Sequence, residues 1–525
     1  MRIQILSALS CLVVIAAAEG DTAWIRLYRG PIHDYGQAIA VDQTGRVCAT
    51  GKSVRTSSSE DFVTIIYDSI GNQLLLDFYT GPGAWYDQAT AATFDAAGNF
   101  YSVGHSMTDS ASPQDYDILR IKYPVTGSPQ IAAAGAGGDT NEITNAAVAD
   151  AAGNIYVAGE QWTGSGVSRC MLMKLDVSGT EVWTAVFGGA GSENDRYEGV
   201  GLDRSGNILV AGRCWRATED AVMAKYTPAG VLQWMRFFDR GGDDAIVAAV
   251  VDDSGCLYGA GYTEAGRALD LLVVKLNPQG DTVWTRCYNT PDSFDTRAFA
   301  MAIDSAGSIY VAGWTRGTGT ANDLLTIKFD RDGSLRWAAH YRGPYDDRPF
   351  DIAVDRDCCC YVVGSTGISS SDKDCLIVKY DPLGNELWRA TYGGSTDFDT
   401  YYDVEVGPSK DPCVVGYVWN DSTFMDLVTA RYRSASGVLE WQGGFGEIPV
   451  PAATILGRGV QLLFAVGATS GWLLDAAGRR VLELRPGPND ISQLAPGIYF
   501  ILTAGRGPSA ISDKSAVDGK VIITR

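Results

Sequence analysis

The stretch Ala302–Thr315, AIDSAGSIYVAGWT, reads as a strand end, an Asp-x-x-Gly turn, a second strand and a closing glycine. Asp304 can accept backbone hydrogen bonds across the turn, and Gly307 supplies the positive φ that such a turn needs. Taken alone, a glycine-punctuated segment of this kind could be a cofactor loop. It is not alone. AVDQTGRVCATG ends at Gly51, TFDAAGNFYSVG at Gly104, VADAAGNIYVAG at Gly159 and GLDRSGNILVAG at Gly212. VVDDSGCLYGAG follows to Gly261, then the quoted copy to Gly313, AVDRDCCCYVVG to Gly364 and the degraded EVGPSKDPCVVG to Gly416. The turn aspartates are Asp42, Asp95, Asp150, Asp203, Asp252, Asp304 and Asp355, with Gly407 in the last copy. Copies recur about fifty residues apart, a period of propellers and related arrays.

Each copy continues in one pattern. A first strand carries small residues (Ala38, Ala91, Ala146, Gly199, Ala248, Ala300) where units crowd together. After the IYVAG-type strand come a variable loop, a strand such as Asp270–Leu276, a Gly turn, and a fourth strand. That last strand has Trp183, Trp234, Trp284, Trp337, Trp388 or Trp441, with Leu75 and Ile131 in the first two copies. Four short antiparallel strands make one propeller blade, and the Trp covers apolar surface between blades. The expected fold is all-β: an eight-bladed β-propeller of four-stranded antiparallel blades over residues 22–445. A count of seven would require one copy to lie outside the ring. An extra Trp strand around Trp24 precedes the first copy, so either it or the Trp441 strand completes the final blade; Trp24 is preferred. Such closure joins the two ends of the ring and removes exposed edges.

The units resemble the SBBP-type bacterial β-propeller repeat, A-x-A-x-D-x-x-G-N-x-Y-V-x-G, best at residues 146–159 and 300–313. The resemblance implies a secreted repeat protein and says little of activity. In the last copy Gly407 and Lys410 replace the turn Asp and Gly, which puts that turn's geometry in question. The tail, WLLDAAGRRVLELRPGPNDISQLAPGIYFI (472–501) with KVIITR (520–525), resembles the C-terminal sorting module of Por-type secreted proteins. That implies a small Ig-like β-sandwich at 455–525, following a linker at 446–454. It also implies recognition by secretion machinery, with attachment to or release from the cell surface. A generic Ig-like appendage without a sorting role is the plainer alternative.

The chain's 525 residues are 46% hydrophobic and 20% charged, enough for a large core. A formal charge of −20 argues against nucleic acid as a partner. Arg2, the apolar run Ile3–Ala18 and the small residues Ala16–Ala18 read as a signal peptide over residues 1–18. No later segment is apolar enough to span a bilayer, so a secreted or outer-surface monomer without a membrane span is expected. The cysteines show no metal spacing and read as small hydrophobes. No HExxH, GxSxG or GxGxxG occurs, and three histidines leave little for a His-based site.

Strand alternation places the variable loops on one face, where ligands of a rigid scaffold usually bind. An acidic residue lies eight positions before each turn Asp position: Asp34, Asp87, Glu142, Asp195, Asp244, Asp347 and Asp399, with Asp295 one place off. As a ring they would hold a cation, with Ca2+ the candidate and no other cofactor implied. As separate groups they would each cap their own loop. Trp162, Trp215, Trp314 and Trp419, with Tyr262, fall in or beside the long loops. Exposed, they would stack on sugar rings; packed, they would anchor the loops. The expected function is a binding or interaction module for a carbohydrate or protein ligand. The alternatives are a propeller glycan hydrolase or lyase using paired carboxylates, and a purely structural surface component.

Overall fold

The computed structural model describes residues 20–434 except 57–58, 82–85, 108–115, 135–139, 164–165, 189–194, 265–267, 291–294, 317–320, 394–396 and 421–423. Outside that range it describes residues 14–17, 437–439, 454–456, 461–464, 471–474, 479–485, 487–490, 497–503 and 519–523. Trp441, the 446–453 part of the expected linker and most of the leader, including the expected cleavage point, lie outside the described residues.

Among the described residues six repeat copies each fold as a separate antiparallel sheet, and the first and last are joined in one sheet by a parallel bridge from His33 to Met425. The strands Asp295–Ile303, Ile309–Arg316, Asn322–Phe329 and Leu335–Tyr341 pair in sequence order, and the same order holds from Asp87 through Tyr392. In the copy that begins at Thr400 only three strands follow one another, and Thr22–Tyr28 supplies the fourth by pairing with Phe424–Tyr432. Trp24 sits opposite Arg431 there, so the chain's first Trp strand is the closing strand. First strands pack against their neighbours all the way round, and His33–Val41 meets Thr400–Val406 to shut the ring. The fold is a β-propeller.

Turn chemistry explains the repeat motif. Asp304 Oδ1 accepts the N–H groups of Ala306 and Ser308, and the Gly307 N–H donates to the Asp304 carbonyl. Where the following residue is Asn, as at Asn154, its amide also donates to the turn Asp. The divergent copies keep the geometry: Cys358 (φ 61°) and Lys410 (φ 66°) take the left-handed position and donate to the carbonyls of Asp355 and Gly407. The fourth-strand Trp binds the next sheet. Trp234 lies over Gly280 and donates to Pro278 O at 3.0 Å; Trp284 and Trp337 repeat this on the turns at Gly333 and Gly384. Where Ile131 replaces the Trp, the buried Arg120 reaches the corresponding turn and donates to Ser178 O at 2.8 Å. Most cysteines are buried within sheets, as small apolar side chains.

Two compact units are present, the propeller at Thr22–Tyr432 and a second drawn from described residues outside it. The second is also all-β. Its strand order is Thr454–Leu456, Gly519–Ile523, Gly497–Thr503, Gly471–Leu474 and Arg480–Leu484 in one sheet. A separate sheet pairs Val14–Ala17 with Gly437–Leu439 and Gln461–Phe464.

Candidate functional site: the loop-side mouth of the channel

The acidic residues singled out in the sequence are nearly all buried, and each is engaged locally. Asp34 accepts from Gly30 N at 2.5 Å and Ser53 Oγ at 2.6 Å; Asp87 does the same with Gly81 and Ser106, and Asp347 with Gly343 and Thr366. Glu142 accepts from Thr140 and Gln161, Asp195 from Trp215 N, Asp244 from Arg240 N and Asp399 from Trp419 N. Asp295 accepts from Leu269 N and lies 3.7 Å from Arg316, while the matching position in its strand is the buried Thr296. Burial pushes the Asp34 carboxyl up to about 6 and raises those of Asp87, Asp244 and Asp347. Among the described residues no three His, Cys, Asp or Glu side chains are gathered as cation ligands. Asp34, Asp87, Asp244 and Asp347 cap blade-to-blade loops, while Asp195, Asp295 and Asp399 accept backbone N–H groups at strand ends.

The aromatic residues divide. Tyr262 and Trp314 are buried, Trp162 is half-buried and Trp215 is exposed at the end of its strand. Trp419 alone enters an extended aromatic surface, in contact with Phe424.

That surface arises from a bulge common to every first strand. In Asp295–Ile303 the register slips between Ala298 and Ala300, leaving Phe299 unpaired. Opposite lies Gly313, where a Cβ would overlap the carbonyl oxygen of Arg297. The closing glycine of each repeat therefore makes room for the bulge. The bulged residues are Gln37, Thr90, Asn145, Glu198, Val247, Phe299, Phe350 and Tyr402. They are polar through four consecutive sheets and apolar or aromatic through the other four. From the aromatic side runs an unbroken chain of rings: Phe299 to Phe350 (6.4 Å), Tyr402 (4.9 Å), Tyr417 (5.8 Å), Tyr35 (5.2 Å), His33 (6.2 Å), Phe424 (5.2 Å) and Trp419 (5.6 Å). Phe299 and Phe424 are 38% and 47% exposed, so this crescent opens to solvent at both ends. His33 lies inside the crescent. His105 packs edge-on against Tyr116, and burial pushes its imidazole down to about 4.

Below the aromatic level the first strands carry a second departure from the repeat. The position after the bulge is Ala or Gly in six copies and aspartate at Asp351 and Asp403. Asp351 accepts Val404 N at 3.0 Å and Asp403 accepts Ile39 N at 2.8 Å, each across a blade boundary. Desolvation raises both carboxyls, and the closeness of Asp403 raises Asp351 further, which favours a proton shared by the pair. Glu405 lies further down the same strand with its side chain exposed, where crowding by protein and Asp403 raise its carboxyl.

No protein-family model matches the chain, and no curated protein matches it. Among solved structures, the chain is similar to Sqt1 from Chaetomium thermophilum, at 12% identity and a TM-score of 0.51 over 79% of this chain and 100% of that one. The likeness is one of fold. Fainter likenesses, which carry no argument for this chain, are to the polysaccharide lyase Uly1 (11% identity, TM-score 0.44, 80% and 100% covered) and to the β-propeller domain of the Trilobed protease from Pyrococcus furiosus (8%, 0.39, 65% and 94%).

Proposed function

We propose that this protein is a secreted or cell-surface binding module that seats a carbohydrate on the aromatic crescent at the loop-side mouth. The crescent is the observation that carries the reading. Rings from non-adjacent segments form one continuous surface. In the same reading the ring has eight blades, which the sheet order and the closing Trp24 strand support. It belongs with SBBP-type repeats, follows a leader at residues 1–18, and carries an Ig-like sorting module at 455–525 for the secretion machinery. A protein ligand at the same mouth is the nearest competitor. The test is a glycan array probed with the full chain, Phe350→Ala and Tyr402→Ala. Specific glycans retained by the wild type and lost by both variants support the reading; no glycan bound, or binding indifferent to both substitutions, removes it.

The Asp351–Asp403 pair is the one arrangement that favours a glycan-cleaving enzyme, since paired carboxyls can do acid–base work. Both already accept backbone N–H groups and bond to each other. That occupancy suits a clamp between blades better than a catalytic pair.

A further inference from the structure

Arg297 lies on the strand Asp295–Ile303, two residues before the bulged Phe299 and paired across the sheet with Trp314. Its guanidinium carbon sits 4.8 Å from the Tyr262 ring centroid and 5.8 Å from that of Trp314. Tyr262 is fixed in turn, its hydroxyl 2.8 Å from Glu219. The planar cation is thus held between two rings beside the aromatic crescent.

The surrounding charges are already matched. Arg213 pairs with Glu198 at 2.8 Å and Glu219 at 3.2 Å, Arg196 with Glu198 at 2.7 Å, and Arg316 with Asp295 at 3.7 Å. Glu160, the remaining carboxyl of that cluster, faces Arg196 and Arg213, and burial raises its pKa toward the neutral form. Among the described residues Arg297 has no ion pair, and its enclosed Nε has no hydrogen-bond partner. Arg120 and Arg213 leave the same atom without a partner, but both give their outer nitrogens to protein acceptors, whereas no such acceptor is found for Arg297 among the described residues. On a chain of net charge −20, anions are not drawn in by the general field, so an anion bound here would report a local site.

We propose that Arg297 is the anion-recognising residue of the mouth, and that the saccharide it serves is acidic, bearing a carboxylate or a sulfate. A guanidinium fork matches either group through paired N–H donors. The proposal rests on the carbohydrate reading of the crescent and adds the charge of the ligand to it.

The experiment is calorimetric titration of the full chain with three tetrasaccharides of one linkage: glucuronate-bearing, sulfate-bearing and neutral. The wild type should favour one or both acidic ligands over the neutral one by about tenfold or more, as expected for a charge-assisted hydrogen bond; which acid wins distinguishes carboxylate from sulfate. Arg297→Gln should bring all three to the neutral affinity, whereas Phe350→Ala should weaken all three together. Equal wild-type affinity for acidic and neutral ligands overturns the proposal and leaves the carbohydrate reading standing. An acid preference unchanged in Arg297→Gln overturns it too. No binding of any saccharide, or binding of an acidic peptide in their place, removes both. The wild-type preference needs no variant, so the test survives even if Arg297→Gln folds poorly.

Discussion

Replacing Asp403 with Asn should reduce a pH dependence that the wild-type propeller carries. The pair Asp351–Asp403 keeps one proton in the folded state at pH values where both unfolded carboxyls have lost theirs. Folded pKa values raised above unfolded ones mean that stability is highest below about pH 4 and declines as pH rises toward the folded values. One extra proton in the folded state gives a slope of about 1.4 kcal/mol per pH unit wherever the pH lies between the unfolded and folded values. For a unit spanning Thr22–Tyr432, at about 2 cal/mol/K per residue, that becomes a Tm fall of about 1.7 °C per pH unit within that window. The Asp403→Asn amide can accept from Ile39 N through its oxygen and donate to Asp351 through its nitrogen, so both bonds survive without the proton. Thermal melts of both proteins from pH 5 to pH 7 should therefore diverge as the pH rises, by up to about 1.7 °C per pH unit, the variant being the flatter and the more stable at neutral pH. Parallel curves would refute the shared proton.

Other outcomes follow from the same geometry. Gly313→Ala forces a Cβ onto the Arg297 carbonyl and should cost about 2 kcal/mol or more in urea unfolding. Cys358→Gly relieves a left-handed residue at φ 61° and should stabilise by about 1 kcal/mol in the same assay. Asp34→Ala leaves Gly30 N and the Ser53 hydroxyl without their buried acceptor, a loss of about 2–4 kcal/mol. Because the loop acids are engaged separately, EDTA should leave the Tm unchanged; a structural calcium at a hundred times its Kd would instead contribute about 2.7 kcal/mol, near 3 °C.

The repeat made the framework legible. Asp304 and Gly307 specify a turn through local hydrogen bonds, and their recurrence around the chain identifies the blade unit. Trp24 could be placed because a ring needs its last sheet closed. Local chemistry also explains why the turn at Lys410 survives: backbone pairing on both sides holds the left-handed residue despite its side chain. The mouth was less legible. Bulges depend on cross-strand register, so Phe299, Phe350 and Tyr402 look like ordinary first-strand residues in sequence. Tyr262 and Trp314 sit one residue past the closing glycine, a strand position, and are buried there. Asp351 and Asp403 did leave a trace, breaking the run of Ala and Gly that ends at Ala300. Their pairing emerges only when adjacent first strands are set side by side.

The claim that ligand binds at the loop-side mouth is tested most directly by hydroxyl-radical footprinting of the full chain with a saturating array-selected saccharide. The account predicts protection of Phe299, Phe350, Tyr402 and Tyr417, with the turns at Asp304 and Asp355 unchanged. Protection confined to those turns, or none on the four aromatic residues, would contradict it.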